Sequence, residues 1–134
     1  GQAFIENALV GEDLTVNGDG TEGLDFTYIN DLVQGIILSI TKSDSINQIF
    51  NITFGAARSI NQLAEIVMEK FSEIKLHHKT RDGLMPERGT LSIAKAQKLL
   101  GYNPQHPVEK GFVQYINWYK NFAENNPHLF KKKS

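Results

Sequence analysis

Residues 18–31 read GDGTEGLDFTYIND, and the division of this stretch into turn, strand and helix decides the rest. A short apolar strand, Leu14 to Val16, leads into it. Gly18, Gly20 and Gly23 make the turn, Phe26 to Ile29 supply the aromatic and β-branched residues of a second strand, and a helix starts at Asn30. The three glycines also spell G-x-G-x-x-G. A dinucleotide-binding turn with that spacing opens directly onto a helix, whose first N–H groups hold the pyrophosphate. Here LDFTYI follows Gly23, and Glu22 puts a negative charge inside the turn. Asp44, about 20 residues on, falls in the loop KSDS and not at a strand end. The glycines therefore read as turn residues and not as a cofactor cradle.

Outward from this stretch, helices and strands alternate. Residues 2–10 form a short helix with Phe4, Ala8, Ile5 and Leu9 inward and Gly11 as its stop. Asn30 can cap the next helix and Asp31 suits its positive end, while Leu32, Val33, Ile36, Ile37 and Ile40 recur at helical spacing. Gln48 to Thr53 reads as a strand. Ser59 and Gln62 make a capping box for a helix with Ile60, Leu63, Ala64, Val67 and Phe71 inward. Ile74 to Lys79 is a strand, and Arg81 to Leu91 a loop containing Gly83, Pro86 and Gly89. Ser92 caps a helix through Leu100 that Gly101 ends. Pro107 is placed as the first residue of a final helix with Val108, Phe112, Tyr115, Ile116 and Tyr119 on one face and Trp118 beside it. The alternation points to an α/β or α+β fold.

Composition narrows the functional classes. The chain has 134 residues, a net charge of −1 and 40% apolar residues, which suits one soluble-type domain with no general attraction to nucleic acid or membrane. With no cysteine there can be no disulfide, zinc-thiolate site or cysteine nucleophile, a composition compatible with the cytoplasm. No apolar run approaches the ~20 residues needed to cross a bilayer, and Gln2 to Val10 lacks the basic start of a signal peptide. The final Lys131 to Lys133 suggests a basic disordered tail at 131–134, after a folded unit at 1–130. His77 and His78 are neighbours on a strand and point to opposite faces, so they do not form a metal site together.

Four segments then carry a resemblance that covers nearly the whole chain, in order. They are LTVNGDGTEGLDFTYINDLVQGI, FNITFGAARSINQLAEIV, PERGTLSIAKAQKLLGYNP and VEKGFVQYINWY. Together they resemble the C-terminal part of the NAD-dependent sugar-nucleotide epimerases and dehydratases, the extended short-chain dehydrogenase/reductase group typified by UDP-glucose 4-epimerase. The resemblance implies an α/β fold in which this chain is the C-terminal, nucleotide-sugar-binding portion and the N-terminal Rossmann domain is missing. NAD is then held by that missing domain, with none expected on this chain. The family's Tyr-x-x-x-Lys pair is absent, because position +4 from Tyr28, Tyr102, Tyr115 and Tyr119 is Leu32, His106, Tyr119 and Ala123. No catalytic residue is assigned.

Diphosphate recognition calls for arginine, whose planar fork meets phosphate oxygens with paired hydrogen bonds. The arginines are Arg58, Arg81 and Arg88. Arg58, ahead of a helix cap, is expected to be solvated. The resemblance places Arg81 near the position that meets the diphosphate and aligns Arg88 with the family's R-G element. It further implies that backbone groups of Val16 and Asn17 hold the base, with Leu14 or Phe4 against its face. At position 24 the family often has a phosphate-binding arginine, and this chain has Leu24.

The implied activity is transient oxidation and re-reduction of a UDP-sugar in cytoplasmic polysaccharide synthesis, with 4-epimerisation foremost and 4,6-dehydration or decarboxylation beside it. A different class remains open, a non-enzymatic nucleotide-binding or protein-interaction module. The Leu32/Val33/Ile36/Ile37/Ile40 face calls for a cover, either the missing Rossmann domain or a self-associating copy.

Overall fold

The computed structural model describes residues 1–81, 83 and 88–130; the expected basic tail at 131–134 and Pro86 lie outside the described residues. Helix α1 (Gln2–Leu9) leads to strand β1 (Leu14–Asn17), the short strand β2 (Gly23–Leu24) and helix α2 (Ile29–Thr41). A 3-10 turn at Ser43–Ser45 precedes β3 (Arg58–Ser59), α3 (Ile60–Lys70) and β4 (Leu76–Lys79). Helices α4 (Ala94–Leu100) and α5 (Val108–Asn125) follow, then a 3-10 turn at Pro127–Leu129.

β1 and β4 pair in parallel, Leu14 opposite Leu76 through Asn17 opposite Lys79. Parallel neighbours need a long crossover, and the segment through β2, α2, β3 and α3 supplies it. β2 and β3 pair antiparallel, Gly23 opposite Ser59 and Leu24 opposite Arg58. The principal core lies where α1, β1, α3 and α5 meet: Ile5, Ala8, Leu14, Leu63, Ala64, Val67, Val108, Phe112, Ile116 and Tyr119. In α1 the buried pair is Ile5 and Ala8, one turn apart, whereas Phe4 and Leu9 are half-buried at its margin. In α3 the expected capping box forms in both directions, Gln62 N–H donating to Ser59 Oγ and Ser59 N–H to Gln62 Oε1.

Two expected strands are irregular backbone instead. Phe26–Tyr28 has no ladder partner, and α2 begins at Ile29 with the extended Tyr28 as its N-cap. Asn30 therefore sits inside the helix and does not cap it. Gln48 to Thr53 likewise pairs with nothing regular. Its alternation is nevertheless real: Phe50 and Ile52 pack toward a second small core of Ala96, Leu100 and Tyr102, and Asn51 Nδ2 donates to the Ser92 carbonyl between them in sequence. A pleated pattern records which residues face inward, while a strand also needs a neighbour to bond. Ser92 falls short of capping α4, since Ile93 occupies the cap position; Gly101 ends that helix at φ +70° as expected. Pro107 stands immediately before α5 as its N-cap residue and not as its first helical one.

Helix α2 is attached by the face opposite its apolar stripe. Its inward residues are Asp31 and Gly35, with Leu38 on the second core. The apolar stripe points the other way: Val33, Ile36, Ile37 and Ile40 are 43%, 48%, 54% and 78% exposed. Of the helix's residues only Asp31 is charged, and it is buried, so the outer surface of α2 carries no charge at all.

Candidate functional site

In α/β sheets ligands gather beyond the carboxyl ends of parallel strands, so the ends of β1 and β4 are the place to look. There β1 passes into the glycine turn, where Gly18 N–H donates to the Lys79 carbonyl at 2.7 Å. Asp19 folds the turn on itself by accepting from Thr21 N–H at 2.9 Å and from the Thr21 hydroxyl at 2.7 Å. Those two bonds, the backbone one first, with a smaller contribution from the Arg81 charge, hold the Asp19 carboxyl below its ordinary range. Asn61, in the first turn of α3, clamps the turn from the side. Its Nδ2 donates to the Asp19 carbonyl at 2.9 Å, and its Oδ1 lies 2.9 Å from His78 Nε2. Gly20 (φ +72°) must be glycine, because a Cβ there would lie 1.9 Å from Asn61 Oδ1. The turn is thus a packed structural element leading into β2. It does not open onto a helix N-terminus and does not fit a dinucleotide pyrophosphate.

Arg81 lies across this turn. Its stem covers Gly18, where a Cβ would meet Arg81 Cβ, Cγ and Cδ at 3.4–3.7 Å. Its guanidinium Nη2 is 3.9 Å from Glu22 Oε2. The Glu22 side chain is 16% exposed, and its Oε1 is buried without a hydrogen-bond partner among the described residues. Asn17 is exposed at the strand end, whereas the side chains of Leu14 and Val16 are buried at 0% and 3%. What Leu14 and Val16 offer here is backbone. Arg88 is exposed farther along the same loop, in a segment held by Leu91 N–H donating to Asp25 and Ala57 N–H donating to Thr90 Oγ1. Asp25 also accepts from Gly55 N–H, so it tethers two loops. Arg58 differs from expectation: its Nε pairs with Glu109 at the start of α5, and its backbone stands opposite Leu24 in the β2–β3 ladder.

Apart from the strand ends, a recess of about 330 Å³ lies between the Phe26–Ile29 segment and the start of α5, with Phe26, Tyr28, His106, Phe112 and Tyr115 in its walls. Beneath it Asp31, read from the sequence only as suiting the positive end of its helix, meets partners that reading did not foresee. Asp31 accepts from Gln105 N–H at 3.0 Å, from His106 N–H at 2.9 Å, and lies 2.9 Å from His106 Nδ1. Burial pushes the Asp31 carboxyl up, but these hydrogen bonds outweigh it and hold the group below its ordinary range. The His106 ring stacks on Tyr28 with centroids 4.6 Å apart. The signal in the sequence was a carboxylate in the first turn of an otherwise uncharged helix; its partner lies 75 residues away and leaves no local trace. His77 and His78 part as expected, His77 to Asp13 and His78 to Asn61.

Comparison with known proteins agrees with this architecture. Residues 2–53 match the NAD dependent epimerase/dehydratase family. UDP-glucuronic acid decarboxylase 1 of Xenopus tropicalis is 32% identical over 136 residues, an alignment covering 97% of this chain and 31% of that protein. Among solved structures, an epimerase from Methanothermobacter thermautotrophicus superposes with a TM-score of 0.85 at 26% identity, over 91% of this chain and 37% of that one. UDP-glucuronic acid 4-epimerase from Bacillus cereus, solved with UDP-glucuronic acid and NAD, gives a TM-score of 0.80 at 25% identity, over 89% of this chain and 38% of that one. The chain spans less than two fifths of the length of each of these proteins. In sequence and in fold it is a partial-length relative of the NAD dependent epimerase/dehydratase family.

Proposed function

We propose that residues 1–130 are the C-terminal, nucleotide-sugar-binding portion of an NAD-dependent epimerase/dehydratase acting on a UDP-sugar, with 4-epimerisation as the reaction. The observation that carries this reading is Arg81, laid over Gly18 at the carboxyl end of the only parallel strand pair among the described residues. A guanidinium there can meet a diphosphate with paired hydrogen bonds, while the backbone at Val16 and the exposed Asn17 offer donors and acceptors to a base. Arg88 adds a second cation from the same loop. The part in hand contributes affinity and orientation, which lower a barrier by fixing the reacting geometry in advance. The oxidation and re-reduction, and the NAD that supplies them, belong to the remainder of a longer protein. That remainder packs on the outward stripe of α2, and a second copy of this chain takes its place when it is absent.

Calorimetric titration of the chain with UDP tests the binding reading. Weak but saturable binding is expected, reduced at least severalfold by Arg81→Ala and less by Arg88→Ala. Binding that neither substitution changes removes both arginines from the site.

A further inference from the structure

Arg81 is set among acids. Its guanidinium lies 3.9 Å from Glu22 Oε2, and Asp19, in the same turn, also feels its charge. Arg81 thus has two carboxylates beside it, Glu22 and Asp19, at a site that is to take a polyanion. The two acids are not equivalent. Asp19 is exposed, and Thr21 N–H and the Thr21 hydroxyl already satisfy it. Glu22 is mostly buried, has one oxygen without a partner, and sits on the approach to β2, whose pairing with β3 fixes its position. It cannot turn away into water without losing that packing, so its charge stays directed at Arg81.

Resting on the nucleotide-binding reading above, we propose that Glu22 is a specificity-determining residue which competes with the ligand's phosphates for the Arg81 guanidinium. A phosphate reaching Arg81 must share it with Glu22 or displace it, and each added negative charge on the ligand meets the field of a fixed carboxylate. The site thereby discriminates against the most highly charged nucleotides and leaves the base and sugar contacts to set affinity. Gly18 holds the turn beneath the Arg81 stem at φ +84°, a backbone conformation that residues with side chains rarely adopt.

The test is calorimetry on the full chain with uridine, UMP and UDP as probes, for wild type, Glu22→Gln, Arg81→Ala and the double variant. Glutamine keeps the size of the side chain and removes its charge. Glu22→Gln is expected to tighten UDP binding about 1.5- to fivefold, the range set by a partly exposed ion pair. The gain is smaller for UMP, absent for uridine, and lost in the Arg81→Ala background. The dependence of UDP affinity on salt steepens as well. A merely structural Glu22 would weaken all three ligands together. An unchanged or weakened UDP affinity in Glu22→Gln, or a gain shared by uridine or surviving without Arg81, overturns the proposal while nucleotide binding itself stands. Failure of UDP to bind any of the four proteins overturns the nucleotide reading and this inference with it.

Discussion

Gly35 is where α2 meets the rest of the molecule, and Gly35→Ala sets two known effects against each other. Within a helix, alanine is favoured over glycine by about 1 kcal/mol. Against that gain, a Cβ at position 35 would lie 2.3 Å from Ile52 Cγ2, with Ile52 Cδ1 at 3.1 Å and Cγ1 at 3.3 Å. Ile52 is β-branched, so moving Cγ2 means leaving a strongly preferred rotamer. Shifting α2 outward instead strains the three contacts that Asp31 makes with Gln105 and His106. Forced overpacking of this kind costs about 1–3 kcal/mol. The contact is nearly a full ångström inside tolerable packing, so the upper half of that range applies and the net effect is a loss of about 1–2 kcal/mol. For a chain of this size that is a fall of roughly 3–10 °C in melting temperature. Urea denaturation followed by circular dichroism measures it directly. Adding Ile52→Ala removes the clashing methyl, so the double variant should lose less than the sum of the two single losses. Gly111→Ala provides a comparison. Its Cβ would meet the edge of the Tyr28 ring at 2.8 Å, a ring that borders an open recess and can turn. A Gly35→Ala protein that melts at or above the wild type, or strictly additive losses, would refute the reasoning.

Asp31 gives a pH prediction. Its folded carboxyl titrates below the ordinary value of about 3.9, so its contribution to stability is complete above that value and is lost as pH falls through the lower folded one. Asp31→Asn should therefore cost about 1–3 kcal/mol at neutral pH and flatten the acid limb of the stability profile; a profile identical to wild type would show that the carboxylate contributes nothing. On the opposite face of α2, Ile36→Glu with Ile40→Glu should leave the melting temperature within the small range of surface changes, about 0.5 kcal/mol. The same pair should shift sedimentation of the chain toward monomer. A wild-type chain that is already monomeric at high concentration would count against a cover for that stripe.

What the sequence discloses depends on how far each interaction reaches. The Ser59–Gln62 capping box, the Gly101 stop and the inward rows of α3 and α5 are written within a turn or two of chain, and the structure repeats them. Phe26–Ile29 and Gln48–Thr53 have strand-like side chains, but a strand needs a partner, and the ladders went to Gly23–Leu24 with Arg58–Ser59 and to β1 with β4. The periodicity of α2 and the need of its apolar stripe for a cover were legible, whereas its inner attachment through Asp31 and Gly35 was not. Apolar spacing reports that a face seeks a cover, and the identity of the cover lies elsewhere. At the candidate site chemistry called for an arginine and the family resemblance pointed to Arg81, whereas Glu22 was seen only as an obstacle to cofactor binding. The pairing of Glu22 with Arg81 spans the whole crossover from the turn to the end of β4, beyond the range of any local pattern.

The attachment of α2 also has a bearing on how the protein can change over generations. A carboxylate received by three donors and a glycine seated against one isoleucine act as two dowels. Rotating the helix by one residue, or sliding it by one turn, would pull out both. Position and tilt are thus set from the inner side, with almost no help from the outer one. The outer stripe can accept a new set of residues, and with it a new neighbour, while the hinge of the fold stays where it is. Foundation and facade of this helix are separate inheritances.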